Sequence, residues 1–320
     1  MLDVLIIGGG PIGIACALEA KKNNLNYVVI EKGTLVNSIY HYPENMTFFS
    51  TSEKLELDGI PFISKNPKPS KQEALEYYRR VVTSNHLRIN LFEAFEACEP
   101  HKEHYVISTT KRNYTTKHVV LSTGFYDLPN LLNVPGEDLP KVSHYYKDPH
   151  FYALQDVAIV GASNSAIDAA LEIWRKGARV SLIIRGESVG DRVKYWVKPD
   201  IENRIKEGSI TAYFETEIEE IKDEYIKLKK NDGSTFKLKN DYVLALTGYR
   251  PSFALLDAFK VAYKNNPNKV PSYDEESMES NVKGVYLAGV VCGGLETHKW
   301  FIENSRVHAE KIMKHITTRK

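Results

Sequence analysis

Four apolar residues, Val4-Leu5-Ile6-Ile7, form the first patterned stretch, a run of the kind that fills a strand buried on both faces of a parallel sheet. The period then lengthens, so that Ile14 to Lys22 reads as a helix, and Tyr27-Val28-Val29-Ile30 returns to strand. Between Ser38 and Ser52 the period is lost. Ser38-Ile39-Tyr40-His41-Tyr42-Pro43 and Thr47-Phe48-Phe49-Ser50-Thr51-Ser52 read as aromatic, hydroxyl-rich loop. Pro61 to Pro69 is a proline-punctuated connection. Ser70 is placed to cap a helix running to about Asn85, with Leu75, Tyr78 and Val82 at helical spacing. Short strands follow, clearest in Tyr105-Val106-Ile107 and His118-Val119-Val120-Leu121. Asn130 to Gln155, rich in proline, glycine and aromatics, reads as a crossing between domains. The opening pattern then recurs: strand Asp156 to Val160, helix Ile167 to Lys176, a stop at Gly177, strand Val180 to Ile184. Ile218 to Leu238 predicts a β-meander around Asn231-Asp232-Gly233, and Tyr242 to Leu246 a buried strand. Gly284-Val285-Tyr286-Leu287-Ala288-Gly289 and a helix from about Thr297 to His315 close the chain.

What joins the strands carries the chemistry. Gly8, Gly10 and Gly13 match G-x-G-x-x-G between the first strand and its helix, with Pro11 and Ile12 inside the turn. The first glycine permits a tight turn, the second lets backbone approach a pyrophosphate, and the third allows close helix–strand packing. A diphosphate would then sit at the helix N-terminus, where free N–H groups and the dipole favour negative charge. Glu31 ends the second strand at the spacing of a ribose-binding acid, followed by Lys32 and Gly33. Strand, glycines, helix, strand and terminal acid together predict dinucleotide binding. Tyr40, Tyr42, Thr47 and Phe48 could line a flat aromatic ligand or could form an ordinary packed loop. Thr123-Gly124, after the strand ending at Leu121, gives a small-residue turn where backbone can approach a cofactor. In the second unit Gly161 keeps its glycine, while Ser163 and Ala166 replace the other two, with Asn164 and Ser165 between them. Arg185, not an acid, follows the next strand and favours a 2′-phosphate, hence NADP, although Glu187 lies two residues on. Arg192, Lys194 and Lys198 could assist that phosphate or form a solvated face. Thr247-Gly248-Tyr249-Arg250-Pro251 reads as the return to the first domain.

A chain of 320 residues is large for a single core, so two domains are expected. Forty-two basic and forty-one acidic side chains leave a net charge of +1, which gives no electrostatic case for nucleic acid or an anionic membrane. The apolar start lacks a basic n-region and carries Asp3, unlike a signal peptide, and no apolar run is long enough to span a bilayer. Cys16, Cys98 and Cys292 are odd in number and far apart, which fits a reduced, cytoplasmic setting.

A first nucleotide unit interrupted by a second, with a return to Ala288-Gly289, resembles the two-dinucleotide flavoprotein reductases of the thioredoxin reductase type over essentially the whole length. More closely, the chain is similar to the bacillithiol-disulfide reductase family. The resemblance is carried by Gly8-Gly9-Gly10-Pro11, Glu31-Lys32-Gly33, Ser38-Ile39-Tyr40, Tyr42-Pro43 and Thr47-Phe48-Phe49-Ser50. Asp138-Leu139-Pro140-Lys141-Val142, Asn164 to Leu171, Asn240-Asp241-Tyr242-Val243 and Phe301-Ile302-Glu303-Asn304 extend it. It implies an α/β fold of two Rossmann-like domains: residues 1–126 with 249–320 for FAD, and 127–248 for NADPH. It further implies a homo-oligomer (dimer or tetramer), and a low-molecular-weight disulfide, with bacillithiol disulfide foremost, as electron acceptor. The crossings near Tyr126–Pro129 and Gly248–Pro251 are expected to act as hinges.

Three departures matter. No C-x-x-C precedes the second dinucleotide strand, so a dithiol relay of the thioredoxin reductase kind is excluded. The bacillithiol-disulfide reductases resembled here carry a cysteine inside the first glycine loop, where this chain has Ile12. Val290 stands where an acid commonly follows the last Ala-Gly. Delivery of electrons directly from flavin, or through Cys16, are the remaining routes, although a cysteine on the inner face of such a helix is more often a small buried hydrophobe. His298 and Lys299, expected near the N-terminus of the last helix, are candidates for steadying the reduced ring or protonating a departing thiolate, or are plain solvent-facing side chains. Competing readings are a ferredoxin– or flavodoxin–NADP reductase serving a small redox protein, a flavin monooxygenase, and a flavin redox sensor without turnover.

Overall fold

The computed structural model describes residues 1–319 and shows two compact units, residues 1–128 with 249–319, and residues 129–248. In the first, strand Leu2–Ile7 lies parallel between Tyr27–Ile30 and Asn113–Leu121, and Ile89–Asn90 extends the sheet beyond Tyr27–Ile30. Asn113–Leu121 is long enough to serve two neighbours on one side. Its first half pairs antiparallel with Tyr105–Thr109, to which Phe95–Pro100 adds, and its second half pairs parallel with Val285–Leu287. Val4, Leu5 and Ile6 are fully buried, as expected of a central strand covered on both faces. Helix Pro11–Lys22 is buried from Ile12 through Leu18 and packs on helix Val307–Thr318, which explains why its sequence shows so little amphipathic contrast. Helix Lys71–Ser84 begins with a capping box: Ser70 Oγ accepts from the Glu73 N–H at 3.3 Å, and Glu73 Oε2 accepts from the Ser70 N–H at 2.8 Å. Accepting backbone N–H groups of Ser70 and Lys65 pulls the Glu73 carboxyl down to about 2.

Two stretches differ from expectation. Asn37–His41 is helical rather than loop, and the stretch read as loop up to Ser52 gives way there to helix Ser52–Leu55, each helix too short to display a 3.6-residue period. The last helix does not start at Thr297. Gly289–Gly293 winds as a 3₁₀ turn, Gly294 takes a φ of 57°, and residues 297–299 form a turn. Asn304 Oδ1 then accepts from the Phe301 N–H at 2.7 Å, and helix Ile302–Ser305 begins there, followed by Val307–Thr318.

The second unit holds five parallel strands in the order Thr211–Tyr213, Arg179–Ile183, Asp156–Val160, Tyr242–Ala245, Val142–Ser143. Helix Asn164–Trp174 buries Ile167, Ala170, Leu171 and Ile173 in a core that also holds Ile159, Leu182 and Leu244. The meander forms as Thr216–Ile221, Tyr225–Lys230 and Thr235–Lys239, with Gly233 at φ 85° in its second turn. The two crossings, Leu128–Pro129 and Tyr249–Arg250, pair as a two-stranded ribbon. Among the described residues no helix is long and apolar enough to cross a membrane.

Candidate cofactor sites

Register sets the first site. Ile7 is opposite both Ile30 and Leu121, and Leu121 is opposite Leu287, so Gly8, Glu31, Ser122 and Ala288 leave the sheet side by side at the carboxyl ends of parallel strands. That is where open α/β sheets bind ligands. The glycines divide their work as the motif predicts. A Cβ on Gly8, at φ 113°, would stand 2.6 Å from the Ser122 carbonyl oxygen; one on Gly13 would overlap the Gly8 carbonyl oxygen. Gly10 has nothing within 4 Å of its would-be Cβ, so its face is open to a ligand. Gly10 is also the N-cap of the helix and offers no side chain, so the first-turn N–H groups beyond Pro11 are left uncapped.

Glu31 is buried. Its Oε2 accepts from the Gly9 N–H at 2.7 Å and its Oε1 from the Gly33 N–H at 2.9 Å. Each oxygen keeps a lone pair, so the carboxylate can shape the turn and still receive a ribose hydroxyl. Gly9, which is not one of the three motif glycines, is needed as well, since its Cβ would come within 2.8 Å of Glu31 Cβ. Ser122, the first residue of the small-residue turn Ser122-Thr123-Gly124, has its Oγ 3.1 Å from the carbonyl oxygens of both Ile7 and Gly8. Thr123 Oγ1 is buried and has no hydrogen-bond partner among the described residues, and Gly124 beside it sits at φ 73°. Lys32 pairs with Asp127 at 2.8 Å.

The aromatic stretch splits. Tyr40 is half-exposed and available to a flat ligand, whereas Phe48 is core, its N–H donating to the Pro69 carbonyl at 2.9 Å. Tyr42 packs edge-on against Tyr126 at 4.8 Å, and burial pushes its hydroxyl up to about 12. Thr47 is exposed and bridges to Ser70. Lys71, which no periodicity marks, is almost wholly buried and donates to the Tyr42 carbonyl at 2.8 Å and to Glu44 at 3.2 Å.

Ile12 lies over Gly289, whose Cβ would stand 3.3 Å from Ile12 Cγ1. Gly289, at φ 82°, donates its N–H to His308 Nδ1 at 3.2 Å, which leaves the His308 proton on Nε2. Burial, with Lys311 adding, lowers that imidazole to about 4, so it is neutral at ordinary pH. Cys16 is a core side chain with no exposed surface; burial, reinforced by Glu19, pushes its thiol up to about 12. Burial likewise raises Cys292 strongly, and takes the half-buried Cys98 to about 11. The geometry thus removes the physical basis for a Cys16 thiolate. His298 is exposed in the turn of residues 297–299 and, contrary to expectation, neither it nor Lys299 stands at a helix N-terminus, because the helix begins at Ile302.

In the second unit Gly161, at φ 138°, is crowded by the Leu246 carbonyl oxygen at 2.6 Å and by Ala166 Cβ at 3.0 Å. Ser163 is the N-cap without a side-chain cap bond, and Ser163 and Ser165 are exposed at the helix start. Arg185 is 85% exposed, and its ion-pair partner is Glu217 at 3.9 Å. Gly248 takes a φ of 93° and accepts the Asn130 N–H on its carbonyl at 2.9 Å. Asn164, expected against a cofactor, instead uses its carboxamide on the backbone: Nδ2 donates to the Arg192 carbonyl at 3.1 Å, and Oδ1 accepts from the Lys194 N–H at 2.8 Å. Lys194 is occupied too, by Asp168 at 2.7 Å, and Lys198 pairs with Asp191 at 3.2 Å.

A family model described as pyridine nucleotide-disulphide oxidoreductase matches residues 5–289. The bacilliredoxin reductase Bdr of Bacillus subtilis is 41% identical over 317 residues, 99% of this chain and 98% of that protein. This chain belongs to that family. The bacillithiol disulfide reductase Bdr from Bacillus cereus superposes with a TM-score of 0.97 at 40% identity, covering 100% of this chain and 99% of the other. The thioredoxin reductase of Lactococcus lactis, at 16% identity and a TM-score of 0.79 over 99% and 98%, shares the fold. The chain is therefore an oxidoreductase of the thioredoxin reductase-like two-nucleotide fold in its bacillithiol disulfide reductase branch, and membership implies a flavin and a nicotinamide cofactor. The residues present fit such groups: an open glycine face, an uncapped helix start and an orphaned buried hydroxyl at Thr123.

Proposed function

We propose that the chain is a cytoplasmic, FAD-dependent enzyme that uses NADPH to reduce bacillithiol disulfide to two thiols. In balance, one disulfide, one NADPH and one proton give two thiols and NADP⁺. The observation that carries this reading is the pairing of full-length likeness to a bacillithiol disulfide reductase with two differently built glycine turns, one followed by Glu31 and the other by an exposed Arg185. Gly10, Glu31 and Thr123 would hold FAD; Gly161, Ser163, Ser165 and Arg185 would hold NADPH. A bound flavin would supply two-electron transfer between the nicotinamide and the disulfide. The chain's part is to orient the groups and exclude water. With Ile12 in the glycine loop and Cys16 buried, the disulfide would be reduced without a mixed disulfide to this chain.

Anaerobic stopped-flow mixing tests the assignment. NADPH should bleach the flavin faster than NADH, and bacillithiol disulfide should restore its colour. Reoxidation no faster than in an anaerobic control without disulfide would discard the substrate. The name of the Bacillus subtilis relative favours one second reading, in which the acceptor is a bacillithiolated small redox protein. Reoxidation by that protein adduct but not by free bacillithiol disulfide would select it.

A further inference from the structure

The segment after Arg185 is fastened to the second glycine turn at four points. The Gly190 N–H donates to the Ala162 carbonyl at 2.9 Å, and a Cβ on Gly190 would stand 2.7 Å from that oxygen, so the approach requires glycine. Asn164 grips the segment on either side of Val193 through the Arg192 carbonyl and the Lys194 N–H, as a neighbouring strand would. Lys194 Nζ then meets Asp168, one helical turn beyond Asn164, with the lysine side chain only 12% exposed. Arg192 itself is exposed, its backbone fixed on both flanks. Arg185 is close by necessity, because Ile183 is register partner to Val160 and accepts the Gly161 N–H at 3.1 Å.

We propose that Asn164 is a positioning residue that holds Arg192 beside the second glycine turn, so that Arg185 and Arg192 together recognise the 2′-phosphate of the nucleotide. This rests on the NADPH reading above. Asn164 is the first residue of helix Asn164–Trp174, so the residue that starts the diphosphate-facing helix also fixes the arginine that reads the ribose. A guanidinium on a loose ten-residue excursion would lose side-chain and backbone freedom on meeting phosphate; a strapped one has already lost most of it.

Calorimetric titration of the FAD-loaded protein with 2′,5′-ADP and with 5′-ADP tests this apart from turnover. In Asn164→Ala, affinity for 2′,5′-ADP should fall about tenfold, the loss expected for one or two hydrogen bonds that hold a charged contact. Affinity for 5′-ADP should stay within about twofold. Arg192→Ala should show the same selective loss, and the double variant should be no worse than Arg192→Ala. Equal losses for both nucleotides in Asn164→Ala, or additive losses in the double variant, would overturn the proposal. Should Asn164→Ala not fold, Lys194→Met loosens the same strap and must show a selective loss, or the proposal fails. Wild-type protein that binds 2′,5′-ADP no tighter than 5′-ADP would instead remove the NADPH reading beneath it.

Discussion

Replacing Cys16 with alanine should leave turnover intact, and the structure gives a size to that expectation. A thiol raised from its ordinary 9.0 to about 12 is roughly a thousandfold poorer in thiolate at neutral pH. At pH 7.5 that leaves only about three molecules in 10⁵ ionised, before any penalty for reaching a side chain with no exposed surface. Cys292 is raised in the same direction, and Cys98 lies on Phe95–Pro100, separated from the strand that ends at the cofactor turns by Tyr105–Thr109. Steady-state NADPH oxidation with bacillithiol disulfide should therefore differ by less than about threefold between wild type and Cys16→Ala, because no thiolate of consequence is lost. Thermal stability should still fall, by roughly 1–2 kcal/mol, because a packed core atom is removed. Mass spectrometry of the enzyme quenched during turnover should find no bacillithiol on Cys16. A hundredfold drop in kcat with unchanged flavin reduction, or an adduct on that residue, would refute the reasoning.

Gly13→Ala should abolish flavin retention while the protein still expresses, because the added methyl overlaps the Gly8 carbonyl oxygen; the ratio of flavin to protein absorbance after gel filtration reads the loss. His308 adds an acid-side instability. Its folded pKa of about 4 lies below the ordinary 6.5, so the unfolded chain binds the proton first. Stability is unaffected above pH 6.5 and falls between 6.5 and 4 by up to about 3 kcal/mol. His308→Gln should flatten that part of the Tm-against-pH curve, and an unchanged slope would assign it to other groups. Ser70→Ala removes the cap of helix Lys71–Ser84 and should cost about 1 kcal/mol with flavin content unaltered, as urea unfolding will show.

The strands that carry the cofactor turns were legible because their apolar runs are continuous, and the capping box at Ser70 because its spacing is fixed by backbone geometry. Helices Asn37–His41 and Ser52–Leu55 were not, since neither completes two turns. The start of the last helix was misread for a related reason. A short helix, Ile302–Ser305, precedes it: its N-cap position is Phe301, a residue type with no capping oxygen, and the bond that starts it comes back from Asn304, while the last helix itself follows Arg306 with no side-chain cap. The burial of Cys16 followed from its place on the inner helix face. His308 was not singled out in the sequence, because its bond with the N–H of Gly289 joins two elements nineteen residues apart. Asn164 shows the same limit. Its position in the turn suggested a cofactor contact, and only the fold reveals a second backbone within its reach.

The two glycine turns solve one mechanical problem by opposite electrostatic means. On the proposed function, each must be held rigid enough to present backbone to a diphosphate. In the first, a carboxylate at the end of the neighbouring strand does the holding, Glu31 bridging the N–H groups of Gly9 and Gly33, and the same charge suits a ribose hydroxyl. A carboxylate at the corresponding point of the second turn would repel a 2′-phosphate. There the strand ends toward Arg185, and the holding passes to a neutral carboxamide on the helix itself, Asn164, which has donor and acceptor enough to grip backbone without adding charge. Asp168, the acid that does enter this network, is matched by Lys194 one turn away from the helix start. On this argument, moving the holding role back to an acid in the second turn by Asn164→Asp should weaken NADPH far more than NADH. Asn164→Gln, which keeps donor and acceptor on a longer arm, should fall between wild type and Asn164→Ala.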